Sequence, residues 1–190
     1  MGAHGRRGPK RGRRVIDATG LELVAWAVRE AMGEGSVRQT VFFRDQATLD
    51  VRPDDVHNVL GFLRDAADEC FDVLASLHGC DYFPAEPRLA VHYQLLSTER
   101  RERLGVRTRL TVEQAETGGV PTVCDLFPTA NFQEKEVFDF FGVRFEGHED
   151  LRRLHMPEDY EGHPQRRDFP MGGEPVLYTF NEHKVPRWYE

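Results

Sequence analysis

The residues with the greatest chemical potential in this chain are concentrated between positions 131 and 170. Glu134, Glu136 and Asp139 fall within six positions of one another, and Arg152, Arg153, Arg166 and Arg167 follow them. Carboxylates and guanidinium groups in such numbers form either a solvated face or an interlocking network across an interface. In a network, each planar guanidinium grips a carboxylate through two hydrogen bonds and sets the register of the pieces it joins. Four histidines (His148, His155, His163 and His183) suggest a metal centre, and His148-Glu149 begins like a zinc-hydrolase helix. That helix needs a second histidine four residues on, where this chain has Arg152. The three cysteines, Cys70, Cys80 and Cys124, are too far apart for a paired-thiolate zinc or iron–sulfur site and read as reduced thiols. No nucleophile elbow, phosphate loop or dinucleotide fingerprint occurs, so catalytic and cofactor-binding residues are expected to be absent.

These residues must be positioned by elements whose hydrophobic spacing is plain. Leu21, Val24, Ala25, Val28 and Met32 make one helical face, ended by Gly33 and Gly35. Two short strands are predicted at Val37–Phe43 and Ala47–Val51, with a turn near Asp45-Gln46. Pro53 opens a second helix whose buried face is Val56, Val59, Leu60, Leu63, Ala67 and Cys70. Three more strands follow. Phe71–Leu77 is apolar enough to be central; Leu89–Leu95 and Leu104–Val112 alternate with period two, with Gly79 and Pro84–Pro87 punctuating the first gap. The fold class is therefore α+β: a small mixed or antiparallel sheet, in the order helix, two strands, helix, three strands, with helices packed on it. Then comes a short helix over Asn131–Phe141, with Asn131 and Glu134 as a capping box and Gly142 as a left-handed C-cap. Last is a long extended segment rich in Gly, Pro and charge, too aromatic for a free tail (Phe169, Val176, Leu177, Tyr178, Phe180, Trp188, Tyr189).

Composition narrows the function classes. The 190 residues are 39% hydrophobic and 30% charged, as a folded soluble protein requires, and no run of about 20 apolar residues could cross a bilayer. The first fourteen residues hold six basic side chains, so a net charge of −7 leaves −13 for the body. Nucleic-acid binding would have to reside in that leader, which lacks aromatics for base stacking, and it is the rival class to a partner-bound subunit. The chain divides into a basic leader (1–18), an α+β domain (19–127) and a signature helix with its extended partner-binding segment (128–190).

The stretch from Asn131 to His148 contains Glu134-Lys135-Glu136, Asp139 and Gly142-Val-Arg-Phe145-Glu-Gly-His148. With Leu151-Arg152-Arg153 and Arg166-Arg167-Asp168-Phe169-Pro170, it resembles the signature of the thirty-kilodalton (C) subunit of NADH-quinone oxidoreductase, respiratory complex I. The likeness is specific over 128–175, and over 20–115 it rests on the order of elements. Lys135, Glu149, His155 and Arg167 depart from the pattern; Lys135 and Arg167 keep its charge, while His155 replaces an aliphatic residue. The resemblance implies a non-catalytic accessory subunit of a peripheral arm at the cytoplasmic face of the cell membrane, with no membrane contact of its own. It would hold the quinone-site (D) subunit and iron–sulfur subunits B and I in register. NADH, FMN, iron–sulfur clusters and quinone then belong to the whole complex, with none bound by this chain. The implied partner interface is Glu134, Glu136, Asp139, Phe141, Phe145, His148, Arg152, Arg153, Arg166, Arg167, Asp168, Phe169 and Pro170. Related subunits of membrane-bound hydrogenases or ferredoxin- and F420-linked dehydrogenases would carry the same surface.

Overall fold

The computed structural model describes residues 16–66 and 70–170. Almost all of the basic leader, Ala67 of the second helix face, and the aromatics from Val176 onward lie outside them.

Helix α1 (Ala18–Met32) starts at Asp17, whose carboxylate accepts from the Gly20 N–H at 2.7 Å, and ends at Gly33. It buries Leu21, Val24, Ala25 and Val28, whereas Met32, in the last turn, is exposed. Strands β1 (Val37–Phe43) and β2 (Gln46–Val51) form a hairpin whose turn is Arg44-Asp45, both at positive φ. Pro53–Asp55 is one 3-10 turn leading into α2 (Val56–Asp65), which buries Val56, Val59, Leu60 and Leu63. The helix stops at Asp65, so Cys70, predicted on its face, sits half-buried beyond it.

Strands β3 (Val73–Asp81), β4 (Leu89–Ser97) and β5 (Glu102–Leu110) complete a five-stranded mixed sheet in the order β1-β2-β5-β4-β3. All neighbours are antiparallel except β2 with β5. Two expectations need correction. The strand predicted as central is the edge strand β3; its apolar character serves a helix packed on its face rather than two flanking strands. The run through Val112 stops at Leu110, because Thr111 and Gln114 form a reciprocal capping box that opens α3 (Val112–Thr117).

Strand β6 (Val120–Pro121) pairs in parallel with β7 (Phe145–Glu146) and brackets helix α4 (Ala130–Phe141). α4 lies on β3, and Gly79, predicted to punctuate a loop, is inside that strand, where the Phe141 ring occupies the space a Cβ would need. Thr40, on the Leu49 side of the hairpin, bonds Glu22 of α1, and Gly79 pairs with Val91, so both helices cover the same sheet face. The core between them is formed by residues such as Leu21, Leu49, Leu60, Tyr93 and Val106, all essentially without solvent contact.

Candidate partner-binding site around the fourth helix

The N-terminus of α4 differs from the predicted capping box. Thr129 occupies the N-cap without a side-chain bond, and Asn131 is already helical. Glu134 instead turns inward, fully buried, accepting from the Val123 N–H at 2.8 Å and the Thr122 hydroxyl at 2.6 Å. Burial pushes its pKa up, and those donors, with Cys124 and His148, recover only part of the shift. Glu134 thereby staples the β6 strand and the loop after it to the helix. Its neighbour Lys135 reaches out to Asp150 at 2.7 Å.

Asp139, one turn later and equally buried, is a hub for the chain beyond the helix. Its carboxylate accepts the backbone N–H groups of Leu154, His155 and Met156 at 3.1, 2.7 and 2.9 Å, and the Arg153 guanidinium at 2.9 Å. Burial pushes Asp139 upward, but these donors outweigh it and hold the pKa below the usual carboxylate range.

The carbonyls at the end of α4 are satisfied in the same way. Gly142 adopts the left-handed C-cap conformation (φ 72°, ψ 24°), as its position in the sequence predicts. His163 Nδ1 donates to the Asp139 carbonyl at 3.0 Å, the Gln165 N–H to Phe140 at 3.2 Å, and Arg166 Nε to Phe141 at 2.8 Å. Arg166 also bonds Glu116 of α3 at 2.8 Å. A second clasp ties Asp168 to the hairpin of β3 and β4. Arg88 is gripped by Asp81 on one side and by both Asp168 oxygens at 2.8 Å on the other. The Arg167 N–H reaches Asp81 at 2.9 Å, and its guanidinium reaches the Phe83 carbonyl at 2.7 Å.

The thirteen predicted residues therefore fall into two groups. Glu134, Asp139, Phe141, Phe145, Arg153 and Arg166 are engaged within the chain; His148, with its side chain out of solvent, joins them, and Phe169 is half-buried against Tyr160. Glu136, Arg152, Arg167, Asp168 and Pro170 present exposed surface, although Arg167 and Asp168 also take part in the second clasp. As far as Pro170, the segment expected to be extended and partner-binding is anchored on this domain by these bonds. Sequence reasoning missed Arg88 and Asp81, because nothing local pairs them with a carboxylate at position 168. It also left open which phenylalanines of α4 face outward: Phe132 is 67% exposed, Phe141 is buried, and Phe138 and Phe140 are half-buried against His163 and His155. His155 stacks on Phe140 at 5.1 Å, so the atypical histidine keeps a packing contact.

Cys124, Glu134 and His148 bring potential metal-ligand atoms within 4.8 Å of one another. In this structure the three groups are held by hydrogen bonds within the chain, with Cys124 Sγ donating to Glu134 at 3.5 Å. The Asp150 N–H donates to His148 Nδ1 at 3.0 Å, which places the imidazole proton on Nε2, the atom facing the trio. Burial also pushes the Cys124 thiol up to about 11, leaving it protonated at neutral pH.

Among the described residues no helix is long and apolar enough to cross a membrane. Comparison with known proteins agrees with the geometry. A family model described as "Respiratory-chain NADH dehydrogenase, 30 Kd subunit" matches residues 49–175, from β2 through both clasps. The NADH-quinone oxidoreductase C subunit of Roseiflexus sp. (strain RS-1) is 40% identical over 169 residues, spanning 89% of this chain and 92% of the relative. Its counterpart in Salinispora tropica is 41% identical, spanning 87% and 68%. A chain in the structure of the membrane-bound sulfane sulfur reductase, an archaeal respiratory membrane complex, superposes with a TM-score of 0.63 at 25% identity, covering 89% of this chain and 94% of its own length.

Proposed function

We propose, for a chain that belongs to the family of the 30 kDa subunit of respiratory-chain NADH dehydrogenase, a non-catalytic scaffolding role in the peripheral arm of a proton-translocating NADH-quinone oxidoreductase. In this role it holds the quinone-site (D) subunit and iron–sulfur subunits B and I in register at the cytoplasmic face of the membrane. NADH, FMN, iron–sulfur clusters and quinone are carried by those neighbours and the rest of the complex.

The observation that carries this reading is the division of the signature region. Its buried charges rigidify α4 and the segment after it, leaving Phe132, Glu136, Arg152 and Leu154 displayed on a fixed support. Exposed aromatic and aliphatic side chains beside exposed charges make a mixed apolar and polar contact surface, the composition expected of a subunit interface. A permanent interface of this class buries on the order of 2,000 Å² or more, so the contact must extend beyond these four side chains.

The test is to express the tagged chain in its own cells and purify it from detergent-solubilised membranes. The expected result is co-elution with NADH-oxidising, quinone-reducing activity, and a separately purified chain free of iron and flavin. A tagged chain recovered alone, with the respiratory activity elsewhere, would overturn the assignment.

A further inference from the structure

The sheet has a second face, on which no helix of the described residues packs. Strand alternation places Arg103, Arg107 and Arg109 of β5 on it, flanked by Asp50 of β2 and by His92 and His78 of β4 and β3. Asp50 is the one carboxylate that this alternation brings to the face from the paired strands, and Arg107 engages it at 3.0 and 2.5 Å. His92 and His78 stack at 5.2 Å, and Tyr82 lies across the group, bonding His92 Nε2 at 3.1 Å. Arg109 sits over the Tyr82 ring at 4.4 Å. Burial, with His78 and the cations Arg107 and Arg109 nearby, lowers His92 to about 4, so this histidine is neutral at physiological pH.

Arg109 makes the sharper point. Its Nε is buried and donates to nothing in the structure. A charged donor left without an acceptor is unfavourable, and Arg109 is only partly buried, so the rest of its guanidinium is open to an acceptor that a partner brings. The acceptor that fits a guanidinium already stacked on an aromatic ring is a carboxylate, bound through two parallel hydrogen bonds. The body of the chain carries a net −13, which makes a positive, carboxylate-poor patch stand apart from its surroundings.

We propose that this helix-free sheet face docks an acidic segment of a neighbouring protein subunit, whose carboxylates are received by Arg109 and Arg103. The inference rests on the assembly reading above and adds the chemistry of one partner. Five strands span about 19 Å, and the nine residues of β4 and β5 span about 30 Å, so the face offers on the order of 600 Å². That is below the roughly 800 Å² per partner of a standard protein interface, and suits an arm or loop better than a whole domain.

The experiment compares full-length wild type, Arg109→Lys, Arg109→Gln and the double variant Arg103→Glu/Arg109→Glu for co-purification with the membrane complex at increasing salt. The thermal melting of each purified chain is measured alongside. With an acidic occupant, the double variant is retained at least tenfold less than wild type, Arg109→Gln falls between, and Arg109→Lys stays closest to wild type. A photo-crosslinking residue at Gln94 on the same face should capture a peptide of negative net charge. Equal retention of all four proteins, or a neutral or basic captured peptide, overturns the proposal while leaving the assembly reading intact. If wild type itself does not co-purify, the assembly reading fails and takes this inference with it. A double variant that melts early is replaced by Arg109→Gln, which removes the charge without reversing it.

Discussion

At the scale of single residues, the charges of the signature region do opposite jobs according to burial. Asp81 of β3, which the signature region's Arg167 reaches from outside, is the clearest buried partner. Burial pushes its pKa up, but the Arg88 guanidinium and the N–H groups of Arg167 and Phe83 outweigh it and hold the group at about 2. A carboxylate whose pKa is lower folded than unfolded stabilises the fold above its unfolded value, near pH 4, and that contribution is lost as pH falls through the folded value. Urea titrations between about pH 5 and pH 2.5 should therefore show wild type losing stability more steeply than Asp81→Asn. At neutral pH the substitution should itself cost about 3 kcal/mol, because it leaves one side of a buried guanidinium unpaired. Equal pH slopes would mean that the Arg88 clasp is not formed in solution. Arg166 has a similar consequence. Its bonds to the Phe141 carbonyl and Glu116 are internal, so Arg166→Ala should destabilise the free chain by about 2 kcal/mol, seen as a melting temperature lower by about 5 °C or more. An unchanged melting temperature would instead assign Arg166 to a partner.

At the scale of elements, two glycines decide whether α4 can sit where it does. Gly79 lets the Phe141 ring rest on β3, and Gly142 turns the chain at positive φ beneath His163 and Arg166. Gly142→Ala adds left-handed strain of about 1–2 kcal/mol and places a methyl against both overlying side chains. We expect it to lower the free domain's stability by more than a surface Gly→Ala change such as Gly118→Ala, where a Cβ would meet nothing. Denaturant midpoints of the two variants check this. Most of the elements were legible from hydrophobic period alone: β1, β2, β4 and α4 lie within a residue or two of where spacing puts them, and α1 starts three residues before the first residue of its predicted face. The errors share a physical cause. Phe71–Leu77 reads as central because burial by a helix and burial by strands leave the same apolar trace. Val112 reads as strand because the Thr111–Gln114 box is a short signal inside a period-two pattern. Asn131 and Glu134 have cap spacing, but the helix begins one residue earlier and Glu134 is needed inside.

At the scale of the whole molecule, the sequence makes the charged signature conspicuous without showing which charges face inward. That depends on contacts across large separations: Arg88 with Asp168, Glu116 with Arg166, Gln133 with the Leu77 N–H. No local pattern encodes them, and a resemblance transfers residues without their partners. The result is a body whose last described segment is folded back on α4 and on the β3–β4 hairpin, so assembly needs only what remains exposed.

The most direct test is a paired measurement on Glu136→Ala/Arg152→Ala: melting of the free chain, and the fraction of the variant that co-purifies with the membrane complex. The account predicts a melting temperature within about 1 °C of wild type, since neither is a buried side chain, together with at least a tenfold loss of co-purification. Wild-type assembly by a variant whose free chain melts several degrees early would contradict it.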